Sequence, residues 1–493
     1  MKNRKALHES SPEDEGASRL TRWVRHHGKL SAFIKELLKA MAPLGATLYL
    51  AGGTVRDVLE GKSDLKDIDL MITGLQSPSL EKILRDLKRR AALQVKEVIS
   101  AGKHFPVFKV AVRWALNPVD VALARKEQST GSGHRDFAIS TQNVTARQDS
   151  SRRDFTINAL FFKFTLKGRT VGGTIVDYQQ GLKGLARKEI KAVGNPYERF
   201  AEDPLRMLRA IRQKNQRRGF TIEKKTWAAI EKSMPALIHT ISMERIAEEL
   251  IKSLHANPVE TYHDWKKSGA LRELIPELAS MAGEREKIFV RRFLYLPSFS
   301  ATHEITATLL LACLLCDTAL EECSDLMAGH GEKPVPGGTH PGDPAFYTAK
   351  RQAIVARRLA LPNLRDIENL LRWFLCLVNY ERLEERRAVA EEILAGNPMA
   401  RQLITLYNAH QKAVVREKRD FDYLLDKCAL TPRLIKGNDL VAAGIPRGPH
   451  LSLILRSIRE QELCDRLTSK DDALCCALVL YRQCHETTQG GAP

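Results

Sequence analysis

The apolar residues of this chain change their period once, and that change limits the possible folds more than any other feature. Across residues 48–193, apolar runs at 94–100, 106–113, 119–124, 155–164 and 174–177 are separated by short helical patterns. Strand side chains point to alternate faces, so runs of this length rich in β-branched residues predict half-buried strands. After Pro196 the β-branched alternation stops. Long helical patterns then run nearly to the end, interrupted by a Gly/Pro-rich loop at 329–344. The expected arrangement is an α/β half over 48–193 followed by an all-helical half. A helix over residues 20–41 is expected to lead into the α/β half from an extension, 1–44, whose first 16 residues are polar and expected to be disordered.

Residues 48–73, LYLAGGTVRDVLEGKSDLKDIDLMIT, read as strand, turn, helix, strand. Gly52 and Gly53 at the turn let a backbone approach a ligand closely, and the helix after them points free N–H groups at whatever binds there, as a phosphate cradle does. Gly61 ends that helix. In the following strand, alternation puts Asp67 and Asp69 on one face with Ile68 turned into the core. Two carboxylates side by side repel unless a cation sits between them, and hard oxygen ligands suit Mg²⁺ bound to a nucleoside triphosphate. The chemistry this suggests is metal-assisted nucleotidyl transfer.

Further clusters lie downstream. The strand PVDVALAR, 118–125, places Asp120 on one face with Ala122 and Ala124, where a third carboxylate could help hold metal or polarise an attacking hydroxyl. The polar segment KEQSTGSGHRDF has hinge freedom at Gly131 and Gly133. In RRDFTINAL, 152–160, arginines beside an aspartate at a strand entrance could pair with a triphosphate while the carboxylate accepts from a ribose hydroxyl. Taken alone, such an RRD is a solvated corner. In ERFAEDPLRMLRAIR, 198–212, Asp203, Arg206 and Arg209 stand three apart and would share one helix face, with Leu205, Leu208 and Ile211 behind them. A carboxylate beside a guanidinium can read the Watson–Crick edge of a base, although on an isolated helix it is a salt-bridge ladder.

These segments together resemble the signatures of the class II tRNA nucleotidyltransferase and bacterial poly(A) polymerase family: GGxVRD plus DxD, RRDFTxNA and EDxxR. The resemblance implies an α+β fold: a polymerase-β-like, mixed-sheet nucleotidyltransferase head at 45–193, a helical neck at 194–255 for nucleotide selection and RNA binding, a helical body at 256–425 and an RNA-binding helical tail at 426–493. It implies that Asp67 and Asp69 hold Mg²⁺ with Asp120 beside them, and that Gly52, Gly53 and Arg56 belong to the nucleotide cradle. Arg153 is assigned to the phosphates, Asp154 and Asn158 to the ribose, Asp203 and Arg206 to the choice of CTP or ATP, and Arg209 to the triphosphate. Arg245 with Glu249 is expected to buttress the neck. The implied reaction is addition of CCA to the 3′ end of tRNA. The alternatives are CC, A or poly(A) addition by the same chemistry, or an RNA-binding protein without catalysis. Two departures stand out. Gly184 replaces an aspartate in the GLxDL motif, with the expected loss of a helix cap worth about 1 kcal/mol. Cys316 occurs where some members carry the histidine of a metal-dependent phosphohydrolase, although Asp317 and His303 remain and His330 and His340 follow in the loop, so no phosphohydrolase activity is expected. The C-terminal stretch 434–458, with Gly437, Gly444, Arg447 and Arg456, resembles the family's terminal module.

Composition agrees with a polyanionic partner. The formal charge of +18 over 493 residues attracts nucleic acid over about a Debye length, and the resemblance points to tRNA rather than DNA. The polar start and the short apolar run at 307–316 resemble neither a signal peptide nor a bilayer span, so a cytoplasmic location and no membrane partner are expected. Nine cysteines, among them Cys313, Cys376, Cys475 and Cys476 in apolar helical stretches, are expected to be reduced core thiols.

Overall fold

The computed structural model describes residues 11–63, 67–101, 107–129, 137–296, 309–316, 364–379, 402–403, 405–407, 409–410, 433–463 and 467–489. They belong to two compact units, Met1–Glu273 and Leu274–Pro493.

The first unit opens with α1 (Pro12–His26) and α2 (Gly28–Met41). The helical lead-in therefore starts eight residues before the expected 20 and is broken once. Residues 12–16 are helical rather than disordered, because the Ser11 hydroxyl accepts from the amide of Asp14, Pro12 occupies the first turn, and acidic residues follow. The break falls at His27, whose ψ of 73° leaves the helical region. Leu20, Trp23, Val24, Phe33, Ile34 and Leu37 form the buried stripe of this pair.

Strands β1 (Thr47–Ala51), β2 (Ile68–Thr73), β3 (Val95–Ala101), β4 (Val107–Val112) and β5 (Val119–Leu123) follow. Helix α3 (Gly53–Leu59) separates β1 from β2, and α4 (Ser77–Lys88) separates β2 from β3. A short ribbon, β6 (Lys126–Ser129) with β7 (Phe137–Ser140), precedes α5 (Ala146–Ser151), β8 (Leu160–Lys167) and β9 (Thr170–Asp177). Seven strands form one sheet in the order β3-β4-β5-β2-β1-β8-β9. Every pairing is antiparallel except β2 with β5, so the sheet is mixed as expected. Alternation along β1 sends Leu48 and Leu50 into the main core with Phe33, Leu84, Val121 and Phe162. It sends Tyr49 and Ala51 to a smaller cluster with Met71, Ala124 and Phe161 on the other face.

The run expected as a strand from 155 begins as one only at Leu160, because Thr156–Asn158 is a 3₁₀ turn. The Asp154 carboxylate accepts from the amide of Phe155 and from Asn158 Nδ2, which folds the backbone into the turn. In α6 (Gly181–Arg187), Gly184 is an interior residue and not a cap position. Asp177 accepts from the amides of Gly181 and Leu182, so the helix keeps its cap and the expected loss does not occur.

Beyond β10 (Glu189–Ile190) the unit is helical, apart from β11 (Thr221–Ile222), which pairs parallel with β10. Helices α7 (Pro196–Glu202), α8 (Leu205–Asn215), α9 (Lys224–Ser233), α10 (Leu237–Thr240), α11 (Met243–Ala256) and α12 (Pro258–Ser268) follow. Helix α8 buries Leu205, Met207, Leu208 and Ile211, while α11 and α12 both pack against it.

In the second unit, helix Gly283–Tyr295 buries Arg292, which donates from Nη1 to the Cys316 sulfur at 2.6 Å and lies 2.9 Å from His410 Nδ1. Cys313 and Cys316 are buried thiols outside any disulfide, as expected for core cysteines. Cys475 and Cys476 depart from that expectation: in helix Lys470–Gln489 it is Ala473 and Ala477 that face the core, which turns Cys475 outward and leaves Cys476 half-buried. Helices Gly437–Ala442 and Pro449–Leu463 share that core through Leu440, Ile454 and Ile458. His303, Asp317, His330, His340, Gly131, Gly133 and the 329–344 loop lie outside the described residues. No helix among the described residues is long and apolar enough to cross a membrane.

Candidate active site

The turn between β1 and α3 requires glycine at its first position. Gly52 has φ +62° and ψ −126°, and a Cβ there would lie 2.7 Å from Arg153 Nη1. One bond network then fastens the cradle helix to the acidic strand. Thr54 Oγ1 donates to the carbonyl of Asp67 at 3.1 Å and accepts from the amide of Asp69 at 3.3 Å. Asp67 lies one residue ahead of β2 and its Oδ1 accepts from Asn117 Nδ2.

Asp69 and Asp120 are register partners across the parallel β2/β5 pair, so both project from the same face. Burial, then the charge of Asp120 and that of Asp67, push Asp69 up to about 6, against the pull of Arg153 and Lys109. Lys109 Nζ lies 3.1 Å from each oxygen of Asp120. Among the described residues no three His, Cys, Asp or Glu side chains form a closed metal cluster. The donor chemistry nevertheless fits a hard dication, because ionising Asp69 beside two more carboxylates is costly and a divalent ion would remove that cost.

The RRD turn is organised by Asp149, which sequence reasoning missed. Its side chain is fully buried, accepts from Arg152 and Arg153 and also takes the amide of Arg125. These arginines hold Asp149 below the usual carboxylate range despite burial. Arg153 then lies 4.7 Å over the ring of Phe161 and donates to the carbonyl of Asn158. The signal was present in DSSRRD, where an acid stands three and four residues before two bases on a helical turn. Arg56 is buried, donates to Asn158 Oδ1 and Asp57, and reaches Gln213 at 3.4 Å. Asp154 accepts from Arg209 at 2.8 Å. Burial alone would raise Asp154, but Arg209 and the bond from Asn158 hold it at about 2.

Asp203, Arg206 and Arg209 do not share one helix, contrary to expectation. Pro204 breaks the segment, and Asp203 is an extended residue after α7 whose Oδ1 accepts from the amide of Leu205 at the start of α8. Its other oxygen pairs with Arg245 at 3.1 Å. Arg206 donates to Glu202 and to the carbonyls of Arg199 and Arg152. Glu249 pairs with Arg212 and Arg209 and not with Arg245, so the buttress runs along α8.

Residues 48–191 match the poly A polymerase head domain, and residues 219–281 match the probable RNA and SrmB-binding site of polymerase A. Over its first half, the chain is similar to CCA-adding enzymes and bacterial poly(A) polymerases. It is 33% identical over 242 residues to the multifunctional CCA protein of Cupriavidus pinatubonensis, covering 48% of this chain and 52% of that protein. It is 32% identical to the CCA-adding enzyme of Lacticaseibacillus paracasei, over 55% of this chain and 56% of that one. Poly(A) polymerase I of Haemophilus influenzae is 29% identical, over 51% and 52%. The chain thus spans about half the length of the curated relatives it matches. The fold is that of the CCA-adding enzyme of Thermotoga maritima complexed with tRNA (TM-score 0.61, 21% identity, 90% of this chain and 94% of that one). It is equally similar to the Bacillus stearothermophilus enzyme in complex with CTP (TM-score 0.60, 19% identity, 93% and 98%). Asp69, Asp120, Asp149 and the Gly52 turn all fall within the stretch that matches the poly A polymerase head domain.

Proposed function

We propose that this protein is a template-independent RNA nucleotidyltransferase that adds CCA to the 3′ end of tRNA from CTP and ATP. The observation that carries the reading is the registered Asp69 and Asp120 pair beside the Gly52 turn. In the reaction the 3′ oxygen of the RNA forms a bond to the α-phosphorus, the bond from that phosphorus to the pyrophosphate oxygen breaks, and the hydroxyl proton is lost. Asp67 and Asp69 would hold Mg²⁺, which supplies charge neutralisation for the attacking and leaving oxygens. Asp120 polarises the attacking hydroxyl. Arg153, fixed by Asp149 under the turn, offers its remaining N–H groups to the triphosphate. Asp154 and Asn158 take the ribose, Arg56 braces Asn158 from behind, and Arg209 supports Asp154 beside the phosphates.

Base choice falls to Asp203 and Arg206, whose planes are held by Arg245 and Glu202. A nucleotide base would exchange these partners for its own donor and acceptor edge. The compartment implied by a tRNA substrate is the cytoplasm. Because one relative is a poly(A) polymerase, the stop point is tested directly. Incubating tRNA that lacks its end with CTP, ATP or both, read at single-nucleotide resolution, should give two additions with CTP and three with both. Long A-tracts would support poly(A) addition, and no incorporation would support an RNA-binding role alone.

A further inference from the structure

A cavity of about 570 Å³ lies at the end of α3 remote from the Gly52 turn. Its walls come from α1, the end of α3, α6 and the turn after α8. The α1 wall lies outside both stretches that match the family models. This volume falls within the range of about 300–1,000 Å³ typical of small-molecule sites.

The lining has two chemistries. Leu59, Leu182 and Leu185 are half-buried and supply an apolar floor. Around it stand five basic side chains against only two acidic ones, Glu15 and Glu60. Two of the cations are already engaged, since Glu60 pairs with Arg217 at 3.2 Å and with Lys62 at 3.6 Å. Arg19 donates to the carbonyl of Leu59. Lys188 and Arg218 are both exposed, and neither side chain has an ion-pair partner among the described residues. Both line the cavity, and Lys188 reaches the backbone next to Arg218: a Cβ on Gly219, in the left-handed region at φ +79°, would lie 3.7 Å from Lys188 Nζ. Two like charges beside an apolar floor favour an anion with an apolar body. An RNA backbone would use the cations but has no need of the leucines.

We propose that this cavity binds a small organic anion, a phosphate or carboxylate on an apolar body, with its charged head on Lys188 and Arg218 and its body against Leu59, Leu182 and Leu185. Ligand-observed NMR on the full chain tests this with hexyl phosphate, hexanoate, inorganic phosphate and hexanol as separate probes. Hexyl phosphate or hexanoate should bind saturably, and which binds more tightly identifies the head group. Inorganic phosphate and hexanol should each bind at least tenfold more weakly. The double variant K188Q/R218Q should weaken the organic anion at least tenfold, and L182N should weaken it while inorganic phosphate is unaffected. Unchanged circular dichroism would verify that both variants fold. The proposal is overturned if neither organic anion saturates, if inorganic phosphate binds as well as they do, or if K188Q/R218Q leaves their binding unchanged. A loss of tRNA binding in that variant without organic-anion binding to the native chain would make the face an RNA contact and overturn it too. No turnover is read, so the outcome is separable from that of the nucleotidyl transfer reading.

Discussion

Asp154 of the RRD turn and Arg209 of α8 lie 2.8 Å apart and join the sheet to the first long helices after it. The pair holds Asp154 at about 2, far below its value in an unfolded chain. Its stability contribution is therefore complete above about pH 4 and is lost as pH falls toward 2. Replacing Arg209 by alanine should cost about 2 kcal/mol at pH 7, less than a fully buried pair because Arg209 is 36% exposed. Urea denaturation across pH 2–7 checks it, and the difference between native and variant should shrink at the acid end.

Asp69 has the opposite sign. Raised to about 6, it favours the folded state fully when protonated, and that contribution is lost as pH rises from about 4 through 6. In metal-free protein, D69N should stabilise the fold by roughly 1–3 kcal/mol above pH 6 and by nothing below pH 4. Calorimetric titration should find Mg²⁺ affinity falling as pH drops below 6, because protons compete for the same oxygens. D69N and D67A should abolish nucleotide incorporation while tRNA binding, read by filter retention, stays within about twofold of native.

Gly52 is constrained twice, by its φ and by the nearness of Arg153. G52A should lower incorporation by about two orders of magnitude and destabilise the fold by about 1–3 kcal/mol. Single-turnover assays at saturating CTP would separate the two effects. Full activity in G52A would remove the cradle from the mechanism.

For base choice, D203A and R206A should erode the preference between CTP and ATP by about tenfold or more while incorporation of the favoured base persists. Glu202 is the main anionic partner of Arg206, so E202Q should change the same ratio. Competition assays with both nucleotides and UTP would read it. Preserved discrimination in all three variants would contradict the assignment.

In the second unit, the Arg292 guanidinium touches both the Cys316 sulfur and the His410 ring nitrogen. Burial and then Arg292 hold His410 down to about 3. A fixed cation beside a sulfur and a nitrogen repels a dication, so metal ions should stimulate no hydrolysis of 2′,3′-cyclic phosphates. Colorimetric assays with Mg²⁺, Mn²⁺, Co²⁺ and Ni²⁺ would check this.

What the sequence determined alone is local. The strand, Gly52 turn, helix and acidic strand depend on alternation and on glycine conformation within 26 residues, and each was readable because near neighbours dictate it. The division into an α/β half and a helical half followed from the same periodicity, and the mixed sheet from the family resemblance. Partner choice was decided only by the tertiary structure. Asp154 meets Arg209 across 55 residues and Arg245 meets Asp203 across 42. No spacing rule selects those pairs, because α8 lies beside the RRD turn and α11 packs against α8. Proline at 204 turned an apparent helix face into a break, and a buried Asp149 drew in two arginines that could equally have faced solvent. Electrostatics acts through space while periodicity acts along the chain, so Asp154 and Asp203 could be found in the sequence but not their distant counter-ions.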